Sequence, residues 1–233
     1  MPPVKTAVHA RSNHGVTAAV EKRLLEGIAR RLPPAVNSDH LSALGLTAMA
    51  AAGAAFAALP HSRWAAAGVV AALTANWFGD SLDGTVARVR GQLRPRYGYY
   101  VDHVIDLAGT TLLFAGIAWS GVMSPLIAAA VLIGYLLVSA ETYLTTHAAG
   151  VFRMSFLGMG PTELRLLLAA GTVKAAAAPY VTIGRWPPVL LFDVGGAVAI
   201  AGLLLAFIAS AVRNTRALYV AEPMRIAHPP RVA

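Results

Sequence analysis

A chain of 233 residues that is 57% hydrophobic and only 13% charged, with a mean hydropathy of +0.60, lacks the polar residues to cover a soluble domain, because globular chains carry roughly 25% charged residues. The absence of cysteine excludes disulfide frameworks, thiolate-held metals and thiol chemistry. A formal charge of +8 admits nucleic acid, an anionic membrane surface or a phosphate-bearing substrate as partner, and the positions of the charges must decide.

Residues 1–31 are basic and polar, without the apolar core of a secretion signal. Over this stretch and the residue after it, Val16, Val20, Leu24, Ile28 and Leu32 recur every four residues beside Glu21, Lys22, Arg23, Glu26, Arg30 and Arg31. That pattern predicts an amphipathic helix lying at a membrane interface. Pro33-Pro34 ends it, and Ser38 or Asp39 can cap the next helix. Six apolar segments follow, at roughly 40–60, 64–90, 98–120, 125–148, 161–182 and 189–212, each about the 20 residues a helix needs to span the hydrocarbon. The breaks between them hold turn residues or charge, and nothing reads as a strand series. The expected fold is an all-α integral membrane protein of six transmembrane helices preceded by an N-terminal amphipathic interfacial helix. Its parts are a cytoplasmic arm with the interfacial helix over 1–36, a six-helix membrane domain over 37–213 and a cytoplasmic tail over 214–233.

With both termini in the cytoplasm, every Lys and Arg except Arg63, Lys174 and Arg185 falls on the inner side, as the positive-inside rule requires. The basic excess is thereby assigned to topology, so a lipid bilayer and not nucleic acid is the expected partner. In a prokaryote the expected location is the inner membrane.

The acids are more telling. Asp80, Asp83, Asp102, Asp106, Glu141 and Glu163 lie within or at the inner ends of the spans, where a carboxylate costs about 2.5 kcal/mol or more. Asp80 and Asp83 are i, i+3 and Asp102 and Asp106 are i, i+4, so each pair shares one helix face. The short connection over 88–97 lets the two pairs face each other across a cavity. Clustered carboxylates ionise together only if cations neutralise them. An all-oxygen donor set suits hard cations such as Mg²⁺ or Mn²⁺, and a pair of such ions is the usual machinery for cleaving a phosphoanhydride. Intramembrane pairing of the aspartates with Arg88, Arg90 and Arg94 is the structural alternative. Gly79, Gly84, Ala87 and Gly98 remove side chains beside the carboxylates, which admits either a ligand or a neighbouring helix.

The stretch Asp80-Ser-Leu-Asp83-Gly84-Thr-Val-Ala87-Arg88, followed by Gly98-Tyr-Tyr-Val-Asp102-His-Val-Ile-Asp106, resembles the signature of the CDP-alcohol phosphotransferase family. The resemblance extends to an interfacial helix followed by six spans. It implies displacement of CMP from a CDP-linked donor by the hydroxyl of an acceptor alcohol, one of the two being a lipid, with two divalent metal ions (Mg²⁺ or Mn²⁺) and a homodimeric assembly. It implies further that Asp80, Asp83, Asp102 and Asp106 bind metal and that Asp106 also acts as general base. Gly84, Ala87 and Gly98 would make room for the nucleotide, with Arg88 near its phosphates. His103 is the alternative base, because an Asp-His pair here is similar to the choline and ethanolamine branch. Glu141, Tyr143, His147 and Gly150, then Gly160 to Glu163, loosely resemble the same branch. Glu141 and Glu163 are therefore candidate contacts to the acceptor, or partners of Arg153 and Arg165. The competing class is a small transporter or channel with intramembrane carboxylates, against which no half-to-half repeat is seen.

Overall fold

The computed structural model describes residues 18–62, 64–149, 161–185 and 187–222. Expectations that rest on Val16, Arg63, Gly150, Arg153, Gly160 and the end of the tail lie outside them, as do the side chains of residues 18–21 and 161. The described residues form seven helices: α1 (Ala18–Arg31), α2 (Ser38–Ala58), α3 (Trp64–Val89), α4 (Pro95–Ser120), α5 (Pro125–Ala149), α6 (Pro161–Ala177) and α7 (Leu191–Ala221). Four of these, α2, α4, α5 and α7, are long and apolar enough to cross a bilayer. The protein is an integral membrane protein. Of the other two expected spans, α3 carries two aspartates, two threonines and an asparagine in its run, and α6 has 17 residues, short of the roughly 20 needed for a straight crossing.

Three local readings are corrected. The N-cap of α2 is Asn37, not Ser38 or Asp39: the Asn37 carboxamide accepts the His40 N–H at 2.9 Å while His40 Nδ1 accepts the Asn37 N–H at 3.4 Å, a reciprocal box that satisfies two orphan donors. Asp39 is thereby free to pair with Arg94 at the start of α4, and that hydrogen bond raises the Arg94 pKa. The segment expected as helix to residue 182 stops at Ala177, and Tyr180–Val181 pairs antiparallel with Val189–Leu190. Pro179 has no N–H to continue the helix. In α1 the inward face is Leu25, Ile28, Ala29 and Leu32, with Leu24 exposed, because a strict four-residue line drifts around a helix of 3.6 residues per turn. That face packs on Leu41, Leu82 and Val86.

The core gathers in two places. At one end Phe56, Val69, Leu73, Leu113, Ile117, Met123 and Phe192 pack together, with Phe56 and Phe192 edge to face at 5.9 Å. At the other end lies the cluster under α1. Outward-facing Leu126, Ile133, Leu144, Val198 and Leu205 are exposed, an apolar girdle suited to lipid tails. Trp64, Trp119 and Tyr180 are exposed at one end of the helices and Tyr97, Tyr100 and Tyr219 at the other, the usual placement of interfacial aromatics.

Helix α2 is the organising element, lying closely against both α3 and α4. Glycines set these approaches. A Cβ on Gly79 would stand 2.6 Å from the Leu41 carbonyl oxygen, and one on Gly116 would fall on the Gly53 carbonyl. Small-residue contacts of this kind let helix backbones meet in a membrane, where apolar side chains gain nothing by leaving lipid. Helices α5 and α7 run parallel and are tied at both ends. Asp193 accepts from the Ser124 N–H at 2.7 Å and from its hydroxyl at 2.5 Å. Glu141 accepts from Ser210 and Asn214 at the far end.

Candidate active site

Three of the four aspartates on α3 and α4 come together. Because α3 and α4 both lean on α2, their ends beside the residue 90–94 turn are held near one another. One oxygen each from Asp80, Asp102 and Asp106 falls within 4.8 Å of the others. Hard cations take oxygens at about 2.0–2.6 Å, which puts opposite ligands of one ion roughly 4–5 Å apart. The trio therefore has the donor type and the span to share a divalent cation. Asp83, one turn further along α3, accepts the Ser42 hydroxyl at 2.7 Å and the Gly84 N–H. Sequence reading did not find Ser42, since nothing local marks that position on α2 as a neighbour of α3.

Of the arginines in the alternative reading, Arg90 and Arg94 are engaged outside the aspartate trio. The Arg90 guanidinium clasps the backbone after α1, donating to the Leu32 carbonyl at 2.9 Å and to the Val36 carbonyl at 2.5 Å. Arg94 is on Asp39, and Arg88 is exposed at the end of α3. The cation that meets the site comes from α6. Arg165 donates from Nη2 to Asp80 Oδ2 at 2.5 Å and from Nε to Asn76 Oδ1 at 2.7 Å. Asn76 was missed although its i, i+4 spacing to Asp80 places it on the same face.

The small residues divide. Gly79 is filled by α2 and serves packing, and Ala87 is buried. Gly84 and Gly98 have open space where a Cβ would stand. A bulky side chain at Gly84 therefore costs the protein little and intrudes on whatever occupies that space. Gly84→Val is expected to leave the melting temperature unchanged while weakening, by about 1–3 kcal/mol, the usual cost of overpacking, the binding of the CDP-linked donor that the sequence resemblance implies, read by isothermal titration alongside thermal unfolding.

His103 is tucked in. Its Nδ1 bonds the Tyr99 carbonyl at 2.7 Å, its ring stacks on Tyr99 with centroids 4.1 Å apart and meets Tyr143 edge-on at 4.8 Å, and it is 7% exposed. Its contact to Asp102 is longer, at 3.8 Å. Glu141 is engaged away from the trio, accepting from Thr145 and Ser210 at 2.8 Å each and from Asn214 at 2.7 Å. Glu163 is half-buried in the first turn of α6, where a carboxylate complements the helix dipole.

The signature stretch lies on the two membrane helices that carry these aspartates, and residues 39–212 match the CDP-alcohol phosphatidyltransferase family. The chain belongs to that family, whose members are transferases of phospholipid biosynthesis. Among solved structures it is similar to the Mycobacterium tuberculosis phosphatidylinositol phosphate synthase with CDP-DAG bound, at 21% identity over 88% of this chain and 100% of that one, with a TM-score of 0.58. That likeness shows a common fold. No curated protein matches the chain.

Proposed function

We propose that the protein transfers a phospho-alcohol group from a CDP-linked lipid to the hydroxyl of an acceptor alcohol, releasing CMP. The observation that carries this reading is the convergence of Asp80, Asp102 and Asp106 from two helices onto one 4.8 Å locus within the family signature. A divalent cation bound there would offset the charge of the diphosphate and of departing CMP. The chain's own residues do the rest. Asp80, Asp102 and Asp106 hold the metal, with Asp83 beside them. Gly84 and Gly98 leave room for the nucleotide, and Arg88, exposed at the end of α3, would meet its phosphates, as the signature implies. Asp106 accepts the acceptor's proton, since His103 is buried between tyrosines with one ring nitrogen committed to the Tyr99 carbonyl. Glu141, already bonded to α7, ties helices together; Glu163, in the first turn of α6, is the remaining candidate contact to the acceptor.

The lipid donor is favoured by the structural relative recorded with CDP-DAG. In this reading α2 to α7 are six spans, both termini are cytoplasmic and α1 lies along the inner face with Lys22, Arg23, Arg30 and Arg31 exposed to anionic headgroups. A soluble acceptor and a membrane-borne donor then meet at the inner leaflet, and the protein works as a homodimer.

The test is CMP release by the purified protein from CDP-diacylglycerol or CDP-choline, with Mg²⁺ or Mn²⁺ and a panel of alcohols. Release from CDP-diacylglycerol, abolished by EDTA and restored by added metal, is the expected result. Release from CDP-choline alone would move the CDP to the headgroup, and no release from either would sink the proposal.

A further inference from the structure

Arg165 is not a surface cation that happens to reach an acid. Its side chain is 16% exposed and that of Asp80 is 23% exposed, so water screens the pair poorly. The guanidinium is seated at two points. Nη2 is on Asp80 and Nε is on Asn76, which is itself 6% exposed and fastened through Nδ2 to the Gly45 carbonyl of α2 at 2.9 Å. Three helices, α2, α3 and α6, thus converge on one charge. Sequence separation between Arg165 and Asp80 is 85 positions, so this is a tertiary device and not a local helix pair. A carboxylate has two oxygens and about four acceptor sites, and Asp80 can serve Arg165 and a cation together.

We propose that Arg165 is a built-in counter-charge of the aspartate site, a positioning residue that holds Asp80 and sets how tightly the trio retains a divalent cation. Three carboxylates less one guanidinium leave two negative charges, the charge of one divalent ion. A fixed positive charge beside the locus opposes the incoming cation, so the metal is held loosely enough to depend on the diphosphate that arrives with the donor. Without Arg165 the three carboxylates repel one another unrelieved and the bare metal is bound more tightly. The seat on Asn76 matters because a free side chain would swing away from an approaching cation, whereas an anchored one stays.

This inference rests on the metal-site reading above, and the test separates the two. Mn²⁺ binding to the full-length protein in detergent, without nucleotide, is followed by loss of the free-ion electron paramagnetic resonance signal. Thermal unfolding is recorded in EDTA and in Mn²⁺. Arg165→Gln is expected to tighten Mn²⁺ binding by about tenfold or more, by removal of a like charge at close range. It should also lower the melting temperature in EDTA and enlarge the rise on adding Mn²⁺. Arg165→Lys keeps the charge and is expected to restore near-native Mn²⁺ affinity, which a merely structural role would not produce. Unchanged or weaker Mn²⁺ binding in Arg165→Gln, with a raised KM for the acceptor alone, overturns the counter-charge and makes Arg165 an acceptor contact. If the native protein binds no Mn²⁺, or Asp80→Asn does not weaken it, the metal-site reading itself falls.

Discussion

Asp106→Asn is expected to reduce CMP release by about 10²–10⁴-fold, the usual contribution of a positioned general base, while the protein stays folded. Asparagine matches aspartate in shape and leaves a neutral group in a helix where a carboxylate is costly, so the fold has no reason to fail. What it loses is the ability to take a proton and the charge that helps hold a cation. The two losses separate on titration: weakened metal affinity alone is recovered by raising Mn²⁺, and a missing base is not. His103→Gln is the companion measurement. With the imidazole packed on Tyr99 and Tyr143 and its Nδ1 on the Tyr99 carbonyl, a loss of less than about tenfold is expected, below the range of a general base. An equal or larger loss than in Asp106→Asn would transfer the proton-accepting role to His103.

Gly116→Leu should have the largest effect on the fold. A Cβ there falls on the Gly53 carbonyl, so the clash is with backbone, which cannot rotate out of the way. Overpacking of this kind costs about 1–3 kcal/mol or more. The consequence is also functional: α4 carries Asp102 and Asp106, α3 carries Asp80, and both are placed by α2. Forcing α4 off α2 widens the locus that the trio must share. A lower melting temperature together with weakened Mn²⁺ binding is expected, even though Gly116 lies ten residues, about 15 Å of helix, from Asp106. Gly202→Leu, at a glycine with open space around it, is the control and should alter neither. Stability and metal binding unaffected in Gly116→Leu would mean that α2 does not set the separation of the two aspartate-bearing helices.

The readable part of the site is the part written on single helices. The i, i+3 spacing of Asp80 and Asp83 and the i, i+4 spacing of Asp102 and Asp106 follow from 3.6 residues per turn, and the short α3–α4 connection brings the pairs to the same end. Gly84 and Gly98 have open space where a Cβ would stand. Gly79 looked the same in sequence yet packs against α2, since a glycine's use depends on what lies beyond it. Basic residues were harder. Arg88, Arg90 and Arg94 are near the aspartates in sequence, but a long, flexible cation takes whichever partner the chain's path presents. Arg90 found the carbonyls after α1 and Arg94 found Asp39.

Composition alone required a membrane, because 13% charge cannot solvate a domain of this size. The signature across α3 and α4 alone pointed to the family and placed its aspartates on shared helix faces, since helical periodicity is a local property. The tertiary structure decided which three aspartates converge, that Asp83 leans on Ser42, that Glu141 fastens α7 and that Arg165 and Asn76 stand behind Asp80. Each of those contacts joins different helices. Their geometry is set by how closely glycine-lined faces let α2 approach its neighbours, a steric outcome that no spacing within one helix encodes.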